Sequence, residues 1–142
     1  MRPLVLCSAY AVFLIGADAR ADDWTPITDP DEVAAVMNDA AFVMKKTVTS
    51  FYRADGNMVE HNADYDLTAI RKWAIEDSGE ICRYVFVKPD HQIDCIRISK
   101  ASDGRAAYTI SWPIDNTTYP LTPLSSAPAD LVDALDAAVA GQ

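Results

Sequence analysis

The chain has 142 residues, with 21 acidic against 12 basic side chains and a formal net charge of −9. That length allows one domain. That acidity repels phosphate backbones and anionic lipid, so neither nucleic acid nor a membrane surface is an expected partner.

Arg2, the apolar run from Leu4 to Gly16 and the small-residue site Ala19-Arg20-Ala21 have the layout of a secretory signal peptide over residues 1–21. The run is too short to span a bilayer. Cleavage after Ala21 starts the mature chain at Asp22, with cleavage after Ala19 as the alternative. Residues 22–142 then form a single small domain, expected to be periplasmic or secreted with no membrane insertion. Cys7 leaves with the leader. Cys82 and Cys95 remain in an oxidising setting and are expected to form a disulfide.

Asp22 to Thr28 reads as an extended lead whose Trp24 and Ile27 tuck against the core. Asp29-Pro30-Asp31-Glu32 is a helix start, with Asp29 as N-cap and Pro30 in the first turn. Val33, Val36, Met37, Ala40, Ala41 and Met44 recur at helical spacing, which predicts a helix from Pro30 to Lys45.

From Thr47 the period becomes two. Thr47 to Arg53 is a strand rich in β-branched and aromatic residues, Ala54 to Asn57 a turn around Gly56, and Met58 to His61 a returning strand. Asn62 to Asp66 is a loop, Leu67 to Glu76 holds the next strand, and Asp77-Ser78-Gly79 turns the chain. Glu80 to Lys88 and Gln92 to Lys100 form a hairpin around Pro89-Asp90. In that register Cys82 and Cys95 share a face one diagonal step apart, and a small shift or bulge sets them directly opposite. Arg105 to Trp112 is the last strand. Pro113 to Pro128 reads as a covering loop, in which Asn116-Thr117-Thr118 is a turn rather than a glycosylation acceptor. Pro128 to Ala140 is a second helix.

Phe51, Tyr52, Asp55 and Gly56, then Trp73, then Glu76, Asp77, Gly79 and Cys82, then Cys95, Ile96, Arg97 and Ile98 form a spaced pattern. On these residues the stretch from Phe51 to Gly104 resembles a domain-of-unknown-function family of small exported proteobacterial proteins. The resemblance implies a β-rich exported domain and brings no catalytic residues.

Two clusters suggest metal chemistry. His61, Asp64 and Asp66 lie in one loop beside the turn that holds Asp55 and Asn57, and such oxygen and imidazole donors suit Ca²⁺ or Zn²⁺. Their spacing matches no established loop, and a solvated acidic loop is the preferred reading. Asp90, His91 and Asp94 read as ordinary turn chemistry. No G-x-S-x-G elbow occurs, and no serine partners the histidines. Paired acids for glycoside cleavage have little room on so small a sheet.

Phe51, Tyr52, Tyr65, Trp73, Tyr84, Phe86, Tyr108 and Trp112 are core candidates by type. Tyr65, Trp73, Tyr84, Tyr108 and Trp112 are also the candidates for a ligand surface. Cys82, Tyr84 and Phe86 share one strand face and Arg83, Val85 and Val87 the other, so both faces carry apolar residues. One face can pack on the helices; the other must meet a second layer, close into a barrel or bind something.

The expected fold is α+β: a curved, mostly antiparallel sheet of about five or six strands with an N-terminal and a C-terminal helix packed on it. The expected function is non-enzymatic binding of a small ligand or a protein partner, without a cofactor. The alternatives are a small hydrolase-like or metal-dependent enzyme using His61, Asp64 and Asp66, or a structural envelope accessory.

Overall fold

A computed structural model describes residues 23–142. The leader expected over residues 1–21, with Cys7, lies outside the described residues. The elements in chain order are β1 (Thr25–Pro26), α1 (Pro30–Met37), β2 (Ala40–Met44), β3 (Val48–Tyr52), β4 (Asn57–Asn62), β5 (Leu67–Ile75), β6 (Ile81–Val85), β7 (Lys88–Lys100), β8 (Ala106–Trp112), β9 (Thr118–Pro123) and α2 (Ala129–Ala140).

From β2 to β9 each strand pairs antiparallel with the next, and β9 pairs back onto β2 through Phe42↔Pro123 and Met44↔Leu121. Eight strands therefore close into an up-and-down barrel, which removes the free sheet edges. β1 adds two residues against the end of β7. This corrects the expectation of an open curved sheet of five or six strands: the second face that needed covering is the inside of a barrel.

Two strands were hidden in the sequence. β2 lies in the stretch expected to continue the first helix. Asn38 leaves the helix in an extended conformation and Asp39 takes φ 57°, which turns the chain. β2 is apolar on both faces, with Phe42 and Met44 in the main core and Ala41 against α2. A strand covered on both sides loses its alternation and prolongs a helical pattern. β9 lies in the expected covering loop. Pro120 and Pro123 argue against a strand, yet Leu121 is buried in the core and Tyr119 packs against it.

Directly opposed residues in neighbouring strands share a face, so the register defines the interior. One end is filled by Phe42, Tyr52, Met58, Trp73, Ile81 and Ile98, and α1 covers it with Val33 and Met37. Asp29 caps that helix by accepting a hydrogen bond from the Asp31 amide at 2.9 Å. Trp73 stands edge-on to Tyr52 with ring centroids 5.3 Å apart, and its indole N–H donates to the Arg53 carbonyl at 2.9 Å. α2 packs on the outer wall, placing Leu131 and Leu135 against Ala41, Phe51 and Val59.

The β6–β7 hairpin turns at Phe86-Val87, not at Pro89-Asp90, which lie inside β7. Register shifts around Tyr84 bring Cys82 and Cys95 directly opposite each other, and they form a disulfide with Cα atoms 4.0 Å apart. At the β5–β6 turn, Gly79 has φ 84°, and a Cβ there would sit 2.8 Å from the Thr28 carbonyl oxygen. Only glycine lets the lead into α1 pass so close to this turn.

Candidate functional site

The barrel end away from α1 is formed by the turns at residues 45–47, 63–66, 86–87 and 113–117. A cavity of about 270 Å³ opens there. Its apolar wall includes Met44, Val48, Leu67, Ala69 and Ile110, and its polar wall Lys45, Glu60, Asn62, Arg71, Arg83 and Tyr108.

The polar groups are held by strand register. Glu60 on β4 reaches diagonally to Arg71 on β5, whose Nε donates to Oε1 at 2.9 Å while Nη2 lies in ion-pair contact with the same oxygen at 2.9 Å. Arg83 on β6 donates from Nη1 to Glu60 Oε2 at 3.1 Å. Arg83 stands opposite Asp94 on β7 and donates to both of its oxygens, from Nε to Oδ1 at 2.6 Å and from Nη2 to Oδ2. The result is a chain of charges, Arg71–Glu60–Arg83–Asp94, running around the inner wall.

Burial alone works against a charged Arg83. The carboxylates of Asp94 and Glu60, both bonded to it, hold the guanidinium charged. Burial pushes the Tyr52 phenol well above its ordinary range. The same cause raises Tyr108, which stacks on Tyr119 with centroids 5.2 Å apart. Ser50, directly opposite Glu60, is fully buried, and its hydroxyl makes no hydrogen bond among the described residues.

The residues singled out in the sequence separate into three places. Tyr108 lines the cavity. Tyr65 and Trp112 stand at the rim, 79% and 50% exposed. Trp73 is in the core at the covered end, and Tyr84 lies on the outer face beside Cys82, donating to Glu76 at 2.7 Å.

Glu60 and Asn62 face the cavity, so strand alternation puts His61 on the outside of β4. Its Nδ1 lies 2.9 Å from the Thr68 hydroxyl and its Nε2 3.6 Å from Asp66. Asp64 instead accepts a hydrogen bond from Thr47 at 3.0 Å. Among the described residues the one tight group of metal-ligating types is Glu80, Cys82 and Cys95. The sulfurs of that group are bonded to each other and are not thiolate ligands.

Sequence reasoning missed Glu60, Arg71, Arg83 and Asp94 as a unit. The available signal was their spacing. Each lies two residues from a core anchor on its own strand: Met58, Trp73, Ile81 and Ile96. A charge in that position shares the inner face. Compared with known protein families, with curated proteins and with solved structures, the chain matches none.

Proposed function

We propose that this is an exported, non-catalytic binding protein that takes a small ligand in the open end of its barrel. One observation carries the reading: a cavity with convergent charged groups among apolar walls, at the barrel end that α1 leaves uncovered. Barrel mouths are common sites for small ligands. The disulfide fits an oxidising compartment outside the cytoplasm. No helix among the described residues is long and apolar enough to cross a membrane.

A protein partner at the same end is the second reading. Among the described residues, the five large hydrophobic side chains most exposed to solvent, Tyr65, Leu67, Val87, Trp112 and Ile114, all lie on strands and turns of the open end. Exposed apolar side chains gathered at one end favour association. The hydrolase-like alternative draws no support from the cavity, because His61 points away from it.

A thermal-stability screen of the mature protein against small metabolites tests the ligand reading. Ligands that bind the native state raise its melting temperature. Ala69→Phe, which fills the cavity from the inner face of β5, is expected to abolish those shifts and leave the fold intact. Shifts that survive Ala69→Phe place the ligand elsewhere and refute the reading.

A further inference from the structure

We infer that the cavity selects a small amphiphile with a single anionic head, seated head-inward on Arg71. This rests on the ligand-binding reading above and adds the class and orientation of the ligand.

The charge balance of the wall sets the sign. Lys45, Arg71 and Arg83 bring three positive charges to the cavity, against Glu60 in the wall and Asp94 behind it. The two carboxylates are already engaged. Glu60 accepts from Arg71 on one oxygen and from Arg83 on the other, and both oxygens of Asp94 face Arg83. An incoming cation would find its acceptors occupied and two guanidinium groups beside it. An incoming anion finds Arg71, whose Nη1 makes no hydrogen bond among the described residues while Nε and Nη2 hold Glu60. The cationic excess is local, since the chain as a whole carries −9. A positive pocket in an acidic protein concentrates field lines at the pocket itself.

Depth sets the orientation. Leu67, Ala69 and Arg71 follow one another along the inner face of β5, with Leu67 at the exposed rim. At about 3.3 Å per residue, Arg71 lies roughly 13 Å along the strand from Leu67. The row of Leu67 continues through Asn62, Val48 and Met44, and the row of Ala69, one step inward, through Glu60. Charged groups lying inward of a rim row that is apolar at Leu67, Val48 and Met44 take an ion at the bottom and hydrocarbon above it. The volume of about 270 Å³ equals that of about nine liquid waters. That suits a short-chain carboxylate better than a long fatty acid.

Calorimetry on the mature, oxidised protein with octanoate, 1-octanol and octylamine tests the inference. Octanoate is expected to bind at least about tenfold more tightly than either analogue, the margin of one charge-assisted hydrogen bond in a sheltered site. Arg71→Met is expected to erase that preference. Arg71→Lys, which keeps the charge and loses the fork, is expected to retain part of it and serves as the folded control. Lys45→Met, which removes one of the three charges but at the rim, is expected to weaken the preference less than Arg71→Met does. If octanol matches octanoate, the anionic-head inference falls while a ligand-binding cavity stands. Loss of the preference in Lys45→Met but not in Arg71→Met puts the head at the rim and overturns the orientation. If none of the three probes binds, the amphiphile class is wrong, whatever the metabolite screen finds.

Discussion

Arg83 and Asp94 face each other across the β6–β7 ladder inside the barrel, with Nε and Nη2 of the guanidinium donating to the two carboxylate oxygens. Their side chains are only 13% and 16% exposed. A pair so sheltered contributes little net stability, but breaking it strands a charge. Asp94→Ala is expected to lower the unfolding free energy by about 3–5 kcal/mol. The double variant Arg83→Met, Asp94→Leu should lose much less, because Glu60 keeps Arg71. Urea unfolding of the three proteins decides it: a single variant as stable as the double shows that the pair is not sheltered.

The disulfide staples neighbouring strands of one hairpin, 13 residues apart in sequence. In the chain-entropy treatment, closing a loop of that size stabilises the fold by about 3 kcal/mol. Thiol titration of the denatured, unreduced mature protein is expected to find no free thiol. Cys82→Ser with Cys95→Ser is expected to shift the urea midpoint downward by the corresponding amount. Two reactive thiols in the untreated protein would contradict the bond.

Trp73 is 6% exposed and fills the covered end of the barrel beside Tyr52. Trp73→Ala is expected to cost about 3–5 kcal/mol. Trp73→Phe keeps most of the packing and loses the N–H bond to Arg53, so its cost is expected near 1 kcal/mol. A Trp73→Ala protein unfolding at the wild-type midpoint would show that this residue anchors nothing.

The tyrosines give the fold an alkaline limit. Burial raises Tyr52 and Tyr108 above the ordinary value of 10.0, and the Glu76 carboxylate that accepts its hydrogen bond pushes Tyr84 up to about 12. Below pH 10 these phenols are protonated in both states and their contribution is complete. Above it the unfolded chain ionises while the folded one does not, so stability falls as pH climbs toward the folded values. Tyrosinate absorbance is expected to rise in two stages, the later one coinciding with loss of near-ultraviolet circular dichroism. A single rise near pH 10 with the fold intact would overturn this.

Much of the meander was legible because its strands alternate. Phe51 to Tyr52, Met58 to His61 and the run through Trp73 carry period-two patterns bounded by Gly56, Gly79 and their acidic neighbours. The cysteines and the compartment logic found the disulfide. What stayed hidden had a physical cause each time. β2 is apolar on both faces, and β9 carries prolines that a strand seldom holds. With those two strands unseen, the barrel could not be closed, and the inner wall had no identity as a wall. Arg83 then read as one residue of an alternating face. Of the five aromatic residues put forward for a ligand surface, Tyr108 lines the cavity and two more stand at its rim. Trp73 was also a core candidate, which is where it sits.

Closure through Phe42 and Pro123 also imposes an order on assembly. The first strand of the barrel completes its pairing only with the last. Pairing between strands so far apart in sequence is slow, since the loop must be closed before its contacts form. In a chain delivered N-terminus first, β2 waits with one edge unpaired and apolar side chains on both faces. The β6–β7 hairpin that carries Cys82 and Cys95 needs only its own short turn. Oxidation of that hairpin can therefore precede closure, leaving β9 as the strand that seals the wall. Truncation before Thr118 would leave β2 and β8 as open edges, the kind of surface on which chains associate with one another.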